Sequence, residues 1–424
     1  MSCRCLAVLV GLLSLLPVNS SAAGVAPLPD EITIDDALRI LRDESPRWAA
    51  ERVQLHRAEA DVIQAGLWSN PSLSYGLLQL AQGANTGAAA THQLTLELPL
   101  LLFGQRGKRL EAARSAQAVA HAELAARFVE RAREVHHAFV ELLGAQEKLG
   151  LLTESQQEVQ RAETIVRGRA AAGDRSQYDV LRIVLEARAL NSEIAAAEAE
   201  RLDAAGKLCQ LLGRPGWSPR ARGSLAPIEP SQARELLWER VRAEHPALEA
   251  ARRRIRQRDA ALAQAKRERW PEIALQVGLL ATQAEDSLSF FGGLTTPLPL
   301  WNRQQGVVAH ARAERLIADR EHRAELAETE AALQRATAVS RSRHAAAARL
   351  AADVFAHLPE LRRMAEEVYR QGKSGIVDLL DAFRGLKTLR MQYVEQLVSA
   401  KQAEVELLYA AGSSGSASIG SPIP

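Results

Sequence analysis

Residues 369–383 read YRQGKSGIVDLLDAF and lie between two long, charged, Ala-rich segments. Helix formers stop at Gly372 and Gly375 and resume at once with Val377, Asp378, Leu379 and Leu380, the pattern of a tight reversal between helices. A weaker copy, RGRAAAGDRSQYDVLRI, stands about 200 residues upstream, with Gly173, Asp179 and Val180-Leu181 opposite Gly372, Asp378 and Leu379-Leu380. The turn is duplicated, so each copy is expected to reverse one helical hairpin.

Other landmarks repeat in the same order. SPRWAAERVQLHRAEADVIQAGLWSNPSL aligns with HPALEAARRRIRQRDAALAQAKRERWPEI, placing Pro46 opposite Pro246 and Pro71 opposite Pro271. LPLLLFGQRGKRLEAARS aligns with LPLWNRQQGVVAHARAE, and after a one-residue shift Gly107 faces Gly306. Two homologous repeats follow, expected over 24–215 and 233–411, with a linker at 216–232 that Pro and Gly punctuate and a flexible tail at 412–424.

The period of the pattern changes within each repeat. Ile34 to Ile40 and Trp48 to Leu67 have helical spacing; after Pro71 the period becomes two, with Leu73, Tyr75 and Leu77 alternating with Ser72, Ser74 and Gly76. Strands are expected over 71–80 and 90–98, and over 271–279 and 288–296. Helices are then expected from Gln105 to Arg169 and, apart from Pro359, from Gln304 to Gln371, each about 95 Å long if unbroken. Shorter helices return from Ser176 to Leu212 and from Ile376 to Ala411. Asp174 or Ser176, and Ser374 in the second copy, are placed to accept hydrogen bonds from the first amides of those return helices.

Composition limits the function classes. Lys and Arg number 53 against 51 Asp and Glu, so nothing indicates a nucleic-acid partner held through its phosphates. Apolar residues make up 47% and aromatics 4%, which suits long Ala- and Leu-rich helices in close packing. Residues 1–23, MSCRCLAVLVGLLSLLPVNSSAA, have the form of a secretory signal. Cys209 then remains alone in the exported chain, so the fold is expected to stand without a disulfide. No cysteine follows the small residues at 21–23, so no lipid anchor is expected.

Four alternating strands cannot bury an apolar face by themselves, and they leave edges. In an exported protein they either cover a private core or join strands of other copies in a membrane barrel, for which about 9 to 11 residues per tilted strand suffice.

Taken together, the two-fold repeat, the NPSL and WPEI strand entries, the LPL…FGQRG and LPLWNRQQG strand-to-helix junctions and the YRQGKSGIVDLLDA turn resemble the outer-membrane factors of Gram-negative tripartite efflux systems. This is the TolC-like family, and its heavy-metal cation-efflux branch, with CzcC-like members, is the nearest. The resemblance spans nearly the whole mature chain. It implies a mixed α/β membrane protein: a homotrimer whose four strands per chain form a twelve-stranded outer-membrane β-barrel, continued by a periplasmic α-helical barrel roughly 100 Å long. It also implies the partners: outer-membrane lipid, a periplasmic adaptor protein, and an inner-membrane pump, expected to be of the resistance-nodulation-division type. Divalent heavy-metal cations are the expected substrate. Drugs or other small toxicants, or a non-conducting periplasmic coiled-coil adaptor, are the alternatives.

Carried onto this sequence, the resemblance makes Gly173, Asp174, Arg175 and Ser176, with Gly372, Lys373, Ser374 and Gly375, the periplasmic tips that meet the adaptor. Asp179, Asp378 and Asp381 would form acidic rings at the entrance, where like charges attract cations and repel one another; alternatively each serves its own helix amides. Pro99, Phe103 and Gly107, with Pro299, Trp301 and Gly306, mark the junctions between strands and helices, where Trp301 and Phe103 suit an interfacial position.

No enzyme site, cofactor or metal centre is expected. His136 and His137 are adjacent rather than spaced as ligands, His56, His92, His245 and His357 are scattered, and there is no phosphate-cradling loop or nucleophile elbow. Arg252, Arg253 and Arg254 fit a solvated helix face.

Overall fold

Alanine, leucine, glutamate and arginine favour helix strongly, and they run without proline from 105 to 171. The computed structural model describes residues 29–79, 90–172, 176–228, 234–282, 287–353 and 355–413. The signal segment, most of the tail, and Gly173, Asp174 and Arg175 of the first tip lie outside the described residues. In chain order the first repeat gives β1 (Glu31–Ile32), α1 (Ile34–Asp43), α2 (Pro46–Gly66), β2 (Ser72–Leu78), β3 (Thr91–Leu100), α3 (Gln105–Ala171) and α4 (Gln177–Leu212). After β4 (Arg220–Ala221), the second gives α5 (Arg234–Glu244), α6 (Pro246–Arg267), β5 (Ile273–Thr282), β6 (Ser287–Thr295), α7 (Gln305–Asp353), α8 (Leu358–Arg370) and α9 (Ile376–Ala410).

Helix α3 has 67 residues, or about 100 Å. Its buried positions advance by alternating steps of three and four: Phe128, Ala132, Val135, Phe139, Leu142, and again Leu152, Ser155, Val159, Ala162, Val166. On α4 they fall every seventh residue, at Ile183, Leu190, Ala197 and Ala204. A repeat of 3.5 residues per turn keeps one seam facing the neighbouring helix and imposes a left-handed coil. Helix α3 packs on α2, α4, α6 and α9, and α9 packs in turn on α7 and α8. One apolar cluster gathers α1, α3 and α4 around Trp48, Phe128 and Phe139, whose Trp48 and Phe128 ring centroids are 5.1 Å apart. A second follows the hairpins down to Leu358, Tyr369 and Ile376.

Three details differ from the sequence reading. The second long helix is broken: α7 ends at Asp353, a 3-10 turn spans Phe355–His357, and α8 starts anew with Pro359 in its first turn. Proline lacks the amide and clashes within a helix, but is well accommodated at a helix start. The linker also carries structure, since β4 pairs in parallel with β1 and the Trp217 Nε1 donates to the Pro29 carbonyl at 3.2 Å. Finally, Ser176 occupies the N-cap of α4 without a side-chain capping hydrogen bond, while Gly375 rather than Ser374 is the N-cap of α9.

A side chain of α3 pins the linker by hydrogen bonds. The Gln146 amide donates to the Ala221 carbonyl at 3.0 Å and accepts from the Ala221 N–H at 2.7 Å, taking the place of a third strand. Gln146→Ala leaves both backbone groups of buried Ala221 without that partner, at about 1–3 kcal/mol each. A lower midpoint of helix melting is expected, with Gln146→Glu intermediate because it keeps the acceptor and loses the donor. Circular dichroism on the detergent-solubilised protein checks this.

Candidate functional site

The four-stranded sheet has the order β2-β3-β5-β6 and is antiparallel throughout. Register places Leu73, Leu96, Val277 and Gly292 in one row, Tyr75, Leu94, Leu279 and Phe290 in the next, and Leu98, Leu275 and Leu294 in a third. Because side chains alternate across a strand, all of these share one face, and its large apolar members are mostly exposed, Phe290 by 79%. The other face carries the rows Ser72-Glu97-Gln276-Gly293, Ser74-Thr95-Gly278-Phe291 and Gly76-Gln93-Leu280-Ser289. One side is therefore suited to lipid and the other to water. Strands β2 and β6 are the free edges. No described helix is long and apolar enough to cross a membrane.

At the base of the sheet the strands bend into helices. Pro99 does not end β3: it lies in register with Ala274, and Leu100 pairs with Ile273. Since β2 stops pairing at Glu97, β3 is there an edge, where proline is tolerated. Phe103 stacks on Trp270 at 5.3 Å, the Arg106 guanidinium lies 5.2 Å from the Trp68 ring, and Trp301 is 88% exposed. Pro299 accepts from the Arg303 Nε at 3.3 Å through its carbonyl. Gly107 and Gly306 lie in the first turns of α3 and α7 with open space around them. The left-handed residues of the two elbows are instead Gly104 (φ 76°) and Gln304 (φ 56°). A matching pair escaped the sequence reading: Gln105 Oε1 accepts from the Phe103 N–H at 3.0 Å, and Gln305 Oε1 accepts from the Arg303 N–H at 2.8 Å.

At the far end, Gly372 has φ +79°, its N–H donates to the Tyr369 carbonyl at 3.0 Å, and the Lys373 N–H donates to the Val368 carbonyl at 3.0 Å. This paired closure with a left-handed glycine is a Schellman stop. After Ser374, the Gly375 N–H donates to Asp378 Oδ2 at 3.0 Å, so Asp378 serves its own helix start in the single chain. Asp381 is exposed and 3.7 Å from Arg384, whose guanidinium mainly engages Glu186 on α4, at 3.0 and 3.1 Å. Asp179 is in the first turn of α4 and half-buried. Arg169, also missed in the sequence, donates to the Tyr369 carbonyl at 2.6 Å and ties the end of α3 to the end of α8.

Two apolar stripes near the tips stay exposed in the single chain: Tyr178, Leu181 and Leu185 on α4, and Leu361, Met364 and Val368 on α8. Each has the i, i+3, i+7 spacing of a helix-packing face. They belong to the two outermost members of the helix row α4, α3, α9, α8.

Burial shifts titratable groups in the helical body, Cys209 and His136 among them. Burial pushes the Cys209 thiol up to about 11, and its Sγ donates to the Trp217 carbonyl at 3.1 Å. Among the described residues no group of three His, Cys, Asp or Glu is placed to hold a metal ion. His137 Nε2 lies 2.6 Å from Glu406, whereas His136 is buried edge-on against Tyr409. Burial, with Lys401 and His137 nearby, pushes the His136 imidazole down to about 4. The unfolded chain therefore takes up that proton first. The resulting stability is full above pH 6.5 and is lost as pH falls toward 4, by at most about 3 kcal/mol. Melting midpoints recorded across that window should fall for the wild type and fall less for His136→Gln.

The sequence matches the outer membrane efflux protein family over residues 37–214 and 237–413. It is 27% identical over 377 residues to the cobalt-zinc-cadmium resistance protein CzcC of Cupriavidus metallidurans, with 88% of each chain covered. It is 28% identical over 361 residues to the outer membrane protein OprJ of Pseudomonas aeruginosa, covering 78% of this chain and 72% of that one. The fold is similar to that of CusC, solved in crystal structures concerned with folding and transmembrane channel formation: TM-score 0.72 at 16% identity, with 90% of this chain and 92% of that one covered.

Proposed function

The chain belongs to the outer membrane efflux protein family, whose members are transport channels rather than enzymes, and on that premise we propose that three copies form a duct exporting divalent heavy-metal cations. The observation that carries the duct is the in-register apolar face of a sheet with two free edges. Pairing β6 of one copy with β2 of the next removes both edges and turns the apolar rows outward to lipid. The same operation sets the α8 stripe of one copy against the α4 stripe of its neighbour, continuing the wall into the periplasm. Three copies of four strands give twelve, within the range of outer-membrane barrels.

At the lower end, Ser176 and the Gly372-Lys373-Ser374-Gly375 turn form the rim that meets a periplasmic adaptor, which connects the duct to a pump of the resistance-nodulation-division type in the inner membrane; Gly173, Asp174 and Arg175, next to Ser176 in sequence, share the adaptor contact. Asp179 and Asp381 are the entrance carboxylates; Asp378 joins them when the α9 cap opens. The cation substrate is supported by the likeness to the cobalt-zinc-cadmium resistance protein over most of both chains. Deleting the gene tests the reading. Sensitivity to cobalt, zinc or cadmium, restored by the intact gene, is expected; sensitivity confined to organic toxicants overturns the substrate.

A further inference from the structure

Between residues 70 and 105, and again between 270 and 302, the sequence contains no Lys or Arg, although the chain has 53 of them. Those two stretches hold the whole four-stranded sheet. Basic residues return directly outside it, at Arg106, Lys108, Arg269 and Arg303. Within the described strands the polar face bears one ionisable residue, Glu97, in the row Ser72-Glu97-Gln276-Gly293. The Gln276 Nε2 donates to Glu97 Oε2 at 2.8 Å. A neutral amide holds that oxygen in place without cancelling its charge, and Glu97 has no ion-pair partner among the described residues.

We propose that Glu97 sets a cation preference within the strand-built part of the channel, as a ring of fixed negative charge on a wall otherwise free of ionic side chains. The ring rests on the three-copy closure proposed above; the residue's role does not depend on which cation is exported. A polar lumen backed by apolar wall and lipid focuses the field of a fixed charge. Carboxylate rings are a known means of selecting cations. At physiological salt the field extends about 8 Å from each carboxylate, so the preference is graded rather than absolute. A divalent cation is attracted twice as strongly as a monovalent one in the same potential, and anions are repelled. No Lys or Arg in the described sheet opposes this effect.

The test is the reversal potential of the full-length protein in planar bilayers under a potassium chloride gradient. Wild type is expected to favour potassium over chloride. Glu97→Gln should lower the permeability ratio at least about twofold, and Glu97→Lys should bring it to one or below. Repeating the pair in an Asp378→Asn, Asp381→Asn background separates the sheet from the tips. Should the Glu97 variants fail to assemble, Gln93→Lys adds a cation to the same face with Glu97 intact and should lower the ratio too. An unchanged ratio in assembled Glu97→Gln, or in Gln93→Lys, overturns the proposal. Metal sensitivity of the deletion strain would then still support the substrate reading. Conversely, a Glu97-dependent ratio in a channel whose loss leaves metal tolerance intact supports the proposal and rejects that reading.

Discussion

Cells producing Leu96→Arg are expected to yield almost no outer-membrane oligomer, while cells producing Gln93→Lys yield close to the wild-type amount. Leu96 is at the middle of β3, flanked in register by Leu73 and Val277, and is exposed in the single chain. In a closed barrel that exposure is to lipid. A cationic side chain near the bilayer midplane of a barrel costs about 2–4 kcal/mol, and a three-copy assembly would carry it three times. The long arginine has little polar surface to reach from the centre of the apolar rows. Gln93, three residues earlier on the same strand, points to the opposite face. A lysine there meets water, losing only the half-buried hydrogen bond from Gln93 to Thr95. Fractionation followed by gel analysis of unheated samples reads the difference. If the two variants assemble equally, the apolar face is not the lipid face.

The sequence carried the arrangement because its main determinants are local. Period-two alternation, 3.5-residue seams and glycine-marked reversals depend on near neighbours, and duplication displays each of them twice. What escaped the sequence depends on distant contacts. Strands β1 and β4 are two residues each, too short to show a period, and they exist because Gln146 and Ile32 meet the linker. Arg169 resembles any other arginine of a charged helix until the fold sets it beside the Tyr369 carbonyl. At the elbows the sequence offers several glycines, and only the path of the chain decides that Gly104 takes the left-handed conformation. Gln304 takes it without being a glycine, so no glycine signal existed there. The tips show the same limit. A serine before a helix and an aspartate in its first turn are both plausible caps, and the backbone of Gly375 selects Asp378.

Gly278→Val is expected to be nearly as damaging as Leu96→Arg, for a reason internal to the sheet. A Cβ at Gly278 would lie 2.4 Å from the Phe291 ring and 2.5 Å from the Leu94 carbonyl oxygen. Phe291 is directly opposite Gly278 on β6, so its ring occupies the space the glycine leaves. The ring can swing aside by changing rotamer, at modest cost. The carbonyl cannot, because Leu94 lies within the β3–β5 ladder, and moving it disturbs the central strand pair on which both hairpins depend. Overpacking usually costs about 1–3 kcal/mol; a backbone clash in the central pair places this variant at or above the upper end. Gly278→Ala should show most of the loss, since the Cβ itself makes the contacts. Phe291→Ala should restore assembly only in part when combined with Gly278→Val, because it removes the ring and leaves the carbonyl. Oligomer yield and its melting midpoint measure both. Full rescue by Phe291→Ala would locate the whole penalty in the ring, and wild-type assembly of Gly278→Val would mean that β3 and β5 do not approach as closely as the register requires.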